Sequence, residues 1–168
     1  MKISTVFQAI INQQLPALII ILDKANTFAS DSGTSDETLL AARLHPDMHP
    51  LSWQIQTTLE LLLRSLARLS GREPESLLLD EKSFVALIDR VKKIRSDLAS
   101  QNLTELDASA DHTIQLPIGP EQTLTLSGQD YLLKFLLPNF YFHLTTTYDI
   151  LRMSGVPLGK RDYMGPIG

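Results

Sequence analysis

The stretch Leu51-Ser-Trp-Gln-Ile-Gln-Thr-Thr-Leu-Glu-Leu-Leu-Leu-Arg-Ser-Leu-Ala-Arg-Leu69 decides the fold class. Leu51, Ile55, Leu59, Leu62, Leu66 and Leu69 recur at steps of four and three, the spacing of one buried stripe on an α-helix. Gly71 supplies a C-terminal stop, and Pro74 lies just beyond it. Upstream, Phe7, Ile11, Leu18, Leu22 and Ala25 carry the same period from about Ser4 to Ala29. Pro16 removes a backbone donor there, which predicts a kink rather than two helices. Asp31 to Asp36 reads as a loop, and Thr38 to Arg43 as a short helix stopped by His45-Pro46.

Downstream, Asp80 is the expected N-cap of a third long helix that turns Phe84, Leu87, Ile88, Val91, Ile94 and Leu98 inward. The period then falls to two in Thr113–Leu116 and Gln122–Leu126, around the turn-rich Pro117-Ile-Gly-Pro-Glu121. That is a β-hairpin signal, and a lone hairpin is marginal in water, so it must lie against the helices. The last helix runs from Ser127 or Gly128 to about Arg152, with Pro138 predicting a break or kink near Leu136. The expected fold is therefore all-α, a four-helix bundle with a small β-hairpin before the last helix. One domain is expected over residues 1–168, with 156–168 as a C-terminal tail.

A chain of 168 residues can bury a sizeable core without staples. Its 15 Lys+Arg against 19 Asp+Glu give a net charge of −4, without the basic stripe that nucleic-acid binding needs. The absence of cysteine excludes disulfides, thiolate zinc sites, Fe–S clusters and a cysteine nucleophile. The longest apolar run, Leu15 to Leu22, falls short of the roughly 20 residues a membrane span requires. Only Lys2 precedes it as an n-region charge, and no clear cleavage site follows, so it reads as a buried helix. A cytoplasmic protein that binds neither membrane nor nucleic acid is the expectation.

Few residues carry chemistry. His45, Asp47 and His49 alternate so that, in an extended segment stiffened by Pro46 and Pro50, they point the same way as metal ligands do. The plainer reading is a surface loop with Asp47 capping a turn. His143 shares a helix face with Leu132, Leu136, Asn139, Thr147 and Ile150, at about 100° per residue, and points into the bundle. A lone buried histidine is more often a satisfied core residue than a ligand, and Thr147 stands where a second helical ligand would be. Phe140, Tyr141, Phe142 and Tyr148 are core and interface material, or the wall of a small-molecule pocket beside His143. Gly159-Lys-Arg161 lacks the glycine spacing and preceding strand of a phosphate loop. No nucleophile elbow is present.

Four segments taken together resemble a known family. They are Arg43-Leu-His-Pro-Asp-Met-His-Pro50 with its following helix, Leu124-x-x-Ser-Gly-Gln-Asp-Tyr-Leu132, Pro138-Asn-Phe-Tyr-Phe-His143 through Tyr148-Asp-Ile-Leu-Arg152, and Gly155-Val-x-Leu158-Gly-Lys-Arg-Asp162. Across nearly the whole chain they look like an uncharacterised branch of the DinB/YfiT-like superfamily. The resemblance implies an up-down-down-up bundle, often a homodimer, and kinship with metal-dependent enzymes, including thiol transferases and a thiol-dependent isomerase. Those relatives hold a divalent metal with one histidine in the second helix and a His-x-x-x-His pair in the last. Here His143 matches the first of the pair and Thr147 takes the second position. The second-helix histidine falls among Gln54, Ile55, Gln56 and Thr57.

Two functions follow. The first is a small-ligand-binding or dimeric interaction protein without the full three-histidine site, its ligand set drawn from His143, Tyr141, Tyr148 and Asn139. No cofactor belongs to it. The alternative is a divalent-metal enzyme (Zn, Ni, Mn or Fe), such as a low-molecular-weight thiol transferase, with His143 joined by His49 or His45. A bound metal would there lower the pKa of a thiol or water.

Overall fold

The computed structural model describes residues 2–78 and 80–167, and they are mostly helical with one small hairpin. Helix α1 runs Ile3–Ser32. A short helix α2 (Asp36–Ala41) leads to α3 (Leu51–Leu69) and α4 (Phe84–Ala99). A 3₁₀ segment, Leu103–Ser109, follows before strands β1 (Thr113–Pro117) and β2 (Thr123–Ser127). Helix α5 spans residues 128–153, and α6 is the short Lys160–Met164. Helix α3 packs on α5 and α1 on α4, around one continuous apolar cluster.

Neither long proline-bearing helix breaks: α1 runs through Pro16 as one helix, as expected, and of the break or kink expected near Leu136 the break does not occur. Each widens instead into a π segment just before its proline, Ile10–Gln14 in α1 and Tyr131–Leu136 in α5. Leu15 donates its N–H to the Ile10 carbonyl, and Leu137 donates to Leu132, both five residues back. The wider turn relieves the clash between the proline ring and the carbonyl four residues earlier, so the helix runs on through the proline. Continuity gives α1 a length and mean hydropathy (1.6 over its most apolar window) sufficient to cross a membrane, although 50% of that window is buried within the protein.

Helix α3 buries all six residues of its predicted stripe. It closes on Gly71 at φ +68°, with Arg72 N–H donating to Ala67 and Gly71 N–H to Arg68. Helix α4 starts later than Asp80 suggested. Ser83 is the N-cap, accepting from Ala86 N–H, while Asp36 from α2 accepts from Phe84 N–H at 2.9 Å. Asp80 lies outside the helix. Asp107 similarly serves α1 from a distance, taking the Ser4 N–H at 2.9 Å and the Ser4 hydroxyl at 3.0 Å. Those bonds hold its carboxyl below the ordinary 3.8.

The hairpin pairs antiparallel in register Thr113↔Ser127 to Pro117↔Thr123. Ile114 and Leu116 bury their side chains against the helices, as the two-residue period requires. The tail folds back on α1. Asp162 Oδ1 meets Lys24 Nζ at 2.8 Å, and Gln13 Nε2 donates to the Met164 carbonyl at 3.0 Å.

Candidate functional site

The middle of α5 faces the start of α3, and the site is built where they meet. Periodicity turns His143 toward α3, where it keeps only 9% exposure. Its Nδ1 lies 2.7 Å from Oε1 of Gln54, whose Nε2 donates to the His49 carbonyl at 3.1 Å. An amide oxygen only accepts, so this contact requires the proton on Nδ1 and leaves Nε2 with a lone pair. Among the described residues no hydrogen bond reaches Nε2, and that atom is not among the buried unpartnered ones. Burial, and secondarily the neighbouring His49, push the His143 pKa below 6.5. The ring is therefore neutral at pH 7.

Trp53 ties the site together. Its ring stacks on His49 at 4.0 Å between centroids and meets His143 edge-on at 5.2 Å. Phe142 approaches His143 from another side, also edge-on at 5.2 Å. Trp53 also lines a cleft of about 640 Å³ with Leu40, Arg43, Gln56, Glu81 and Leu87.

The sequence candidates divide among three places. His45 is exposed and pairs with Asp47 in the loop before α3. His49 lies against Trp53, and His143 against Gln54. Among the described residues no three His, Cys, Asp or Glu side chains gather as a metal-holding cluster. Thr147 is fully buried, with its hydroxyl donated to the His143 carbonyl at 2.9 Å. Asn139 spends its Nδ2 on the Phe135 carbonyl at 2.7 Å.

Tyr141 and Tyr148 lie on another face of α5 from His143, whereas the sequence reading grouped them with it. At 100° per residue Tyr141 lies about 160° and Tyr148 about 140° from it around α5. They face the tail instead. Tyr148 meets Tyr163 edge-on at 5.9 Å, and the Tyr163 hydroxyl lies 2.9 Å from that of Thr145. Burial, then Tyr163, raise the Tyr141 pKa above 10.0. Sequence reasoning missed Trp53, which sits one position before the Gln54–Thr57 segment where the missing histidine was sought.

The pairing of α3 with α5 through Gln54 and His143 can now be set beside known proteins. A family described as "Domain of unknown function (DUF1993)" matches residues 5–164. The chain belongs to the DUF1993 family. A crystal structure of a DinB family member protein from Shewanella denitrificans is similar to it, with 31% identity and a TM-score of 0.81. That match covers 98% of this chain and 90% of the other. No curated protein matches the sequence. This DUF1993 chain is thus a DinB-like protein of an uncharacterised branch.

Proposed function

We propose that this DUF1993 protein is a single-domain, up-down-down-up four-helix bundle that binds a small organic ligand in the cleft beside Trp53, without metal catalysis. The hydrogen bond between Gln54 and His143 carries the reading. At the place where the resemblance implies a second-helix histidine stands a neutral amide, hydrogen-bonded to the one matching histidine, so two of the three implied ligands are absent from their positions. A carboxamide is a poor partner for a borderline cation such as zinc, and Thr147 is already committed to the helix backbone. The cleft's size falls in the range of small-molecule sites, about 300–1,000 Å³. Trp53 gives it an aromatic wall, and Arg43 and Glu81 supply charges that would orient a polar ligand.

A homodimer belongs to the same proposal. Phe142 and Met153 are both 56% exposed and lie within about 20° of each other around α5, an apolar pair that a two-fold axis would cover.

The test is metal content of untagged protein purified without chelator, beside a His143→Ala variant. The expected result is no stoichiometric Zn, Ni, Mn or Fe in either. Near-stoichiometric metal that disappears in the variant overturns the proposal and restores the thiol-transfer alternative. Trp53 is the chain's one tryptophan, so its emission reports on the cleft directly. A metabolite screen should find a saturable emission change that Trp53-lining variants such as Gln56→Leu weaken.

A further inference from the structure

A second concavity of about 710 Å³ lies away from the Trp53 cleft, between α1, α4 and the returning tail. Pro16, Ile19 and Ile20 form its apolar floor, while Lys92, Arg95 and Arg161 bring three cations to its walls. Its one lining carboxylate, Asp162, is already engaged. Oδ1 meets Lys24 Nζ at 2.8 Å, and Oδ2 accepts the Gly159 N–H at 2.8 Å. Among the described residues Arg95 and Arg161 have no ion pair, and Lys92 has only a 3.8 Å contact with Asp89. In a chain of net charge −4, this is a local reversal of sign.

The geometry of α1 helps to place one of these cations. In the π register, the Ile11 carbonyl would look to residue 16 for its donor, and Pro16 has none. Arg95 Nε supplies it from α4, donating at 3.2 Å. That bond anchors the guanidinium at the groove through Nε, and no hydrogen bond or ion pair among the described residues occupies its two terminal nitrogens. Two guanidinium groups and an ammonium around an apolar floor match an oxyanion carried on a hydrocarbon body.

We propose that this groove binds a small amphipathic anion free in solution, a phosphate or carboxylate head on a short alkyl chain. The head would lie among Arg95, Arg161 and Lys92, and the chain along Ile19, Ile20 and Pro16. A concave site walled by a folded-back tail suits a soluble molecule better than a flat membrane surface, which an acidic protein meets with repulsion.

The test titrates octyl phosphate, below its self-association concentration, into the full chain by calorimetry and ¹H–¹⁵N NMR. Saturable binding is expected, with shifts at residues 16–20, 92–95 and 161–166 and little change in Trp53 emission. Arg161→Gln should weaken binding about tenfold or more, and inorganic phosphate should bind the native chain at least about tenfold more weakly than octyl phosphate. Arg161 is exposed and has no side-chain partner among the described residues, so that variant keeps the fold. Absent saturation, equal affinity in Arg161→Gln, equal affinity for inorganic phosphate, or shifts confined to other residues would each overturn the proposal. So would Arg161-dependent sedimentation with phosphatidylglycerol vesicles without octyl phosphate binding, which assigns the cations to a membrane. Metal content and Trp53 emission read the other site, so either proposal can fail alone.

Discussion

At the scale of single residues, the His143–Gln54 contact joins positions 89 apart in the chain, and its energetics follow from burial. An imidazole whose pKa is lowered on folding gains its proton more readily in the unfolded chain. Its contribution to stability is intact above the ordinary 6.5 and is lost as pH falls from there toward the lower folded value. Urea midpoints measured from pH 7.5 to 5.5 should therefore decline, and His143→Leu should flatten that part of the slope. An unchanged slope in the variant would remove His143 as its source. Gln54→Leu makes a sharper test, because it strands the Nδ1 proton and the His49 carbonyl together. A loss of about 1–3 kcal/mol is expected, with part regained in the Gln54→Leu/His143→Leu double variant, where the Nδ1 proton is no longer stranded although the His49 carbonyl still is. Strictly additive losses would show that the two side chains are uncoupled. The burial of His143 was legible in sequence, but its partner was not. Position 54 could be read only as a histidine that was missing, since helical period tells which way a side chain points but not what it meets.

Elements were far more legible, because period survives whatever the partner is. The stripe from Leu51 to Leu69, the inward set from Phe84 to Leu98 and the alternation at Ile114 and Leu116 all landed where their spacing placed them. Prolines disturbed their helices for a physical reason. A lost donor and a ring clash must disturb the turn before a proline, and the π segments before Pro16 and Pro138 are the form that disturbance takes without breaking either helix. The N-cap of α4 misled, since Ser83 and the distant Asp36 share the work assigned to Asp80. Where elements meet, a glycine can be decisive. A Cβ on Gly128, at the start of α5, would lie 2.0 Å from the Ser109 carbonyl oxygen, with backbone on both sides of the contact. Gly128→Ala should cost about 1–3 kcal/mol or more by thermal or urea unfolding, as overpacking does. Gly119→Ala in the hairpin turn meets nothing within 4 Å and should be near neutral. Equal effects would show that the approach of α5 to the 3₁₀ segment is not tight.

For the whole molecule, the question is what holds residues 156–167 against α1. Composition alone left open whether this segment folds back, because Pro and Gly suit a packed loop and a free end alike. The structure supplies contacts that answer it. Val156 and Leu158 are buried, Asp162 meets Lys24, Met164 accepts from Gln13, and Gly165 turns at φ +63° against the backbone of α1. A Cβ at position 165 would sit 2.8 Å from the Gln13 carbonyl and 2.9 Å from the Ala17 Cβ, in a backbone conformation that L side chains seldom take. Gly165→Ala therefore combines strain with collision, and the less costly escape is for the tail to lift while the long helices stay packed. Amide exchange should quicken across residues 160–167 and remain slow in α3 and α5, with a modest fall in melting temperature. Acid should act on the same contact. Lys24 holds the Asp162 carboxyl below 3.8, so its stabilisation persists above that value and disappears as pH falls through the lowered one. Tail amides should lose protection there in the native chain, and an Asp162→Asn variant should show weakened protection already at neutral pH. If Gly165→Ala instead accelerates exchange in every helix alike, the tail is part of the cooperative core, and the groove between it and α4 opens only when the protein unfolds.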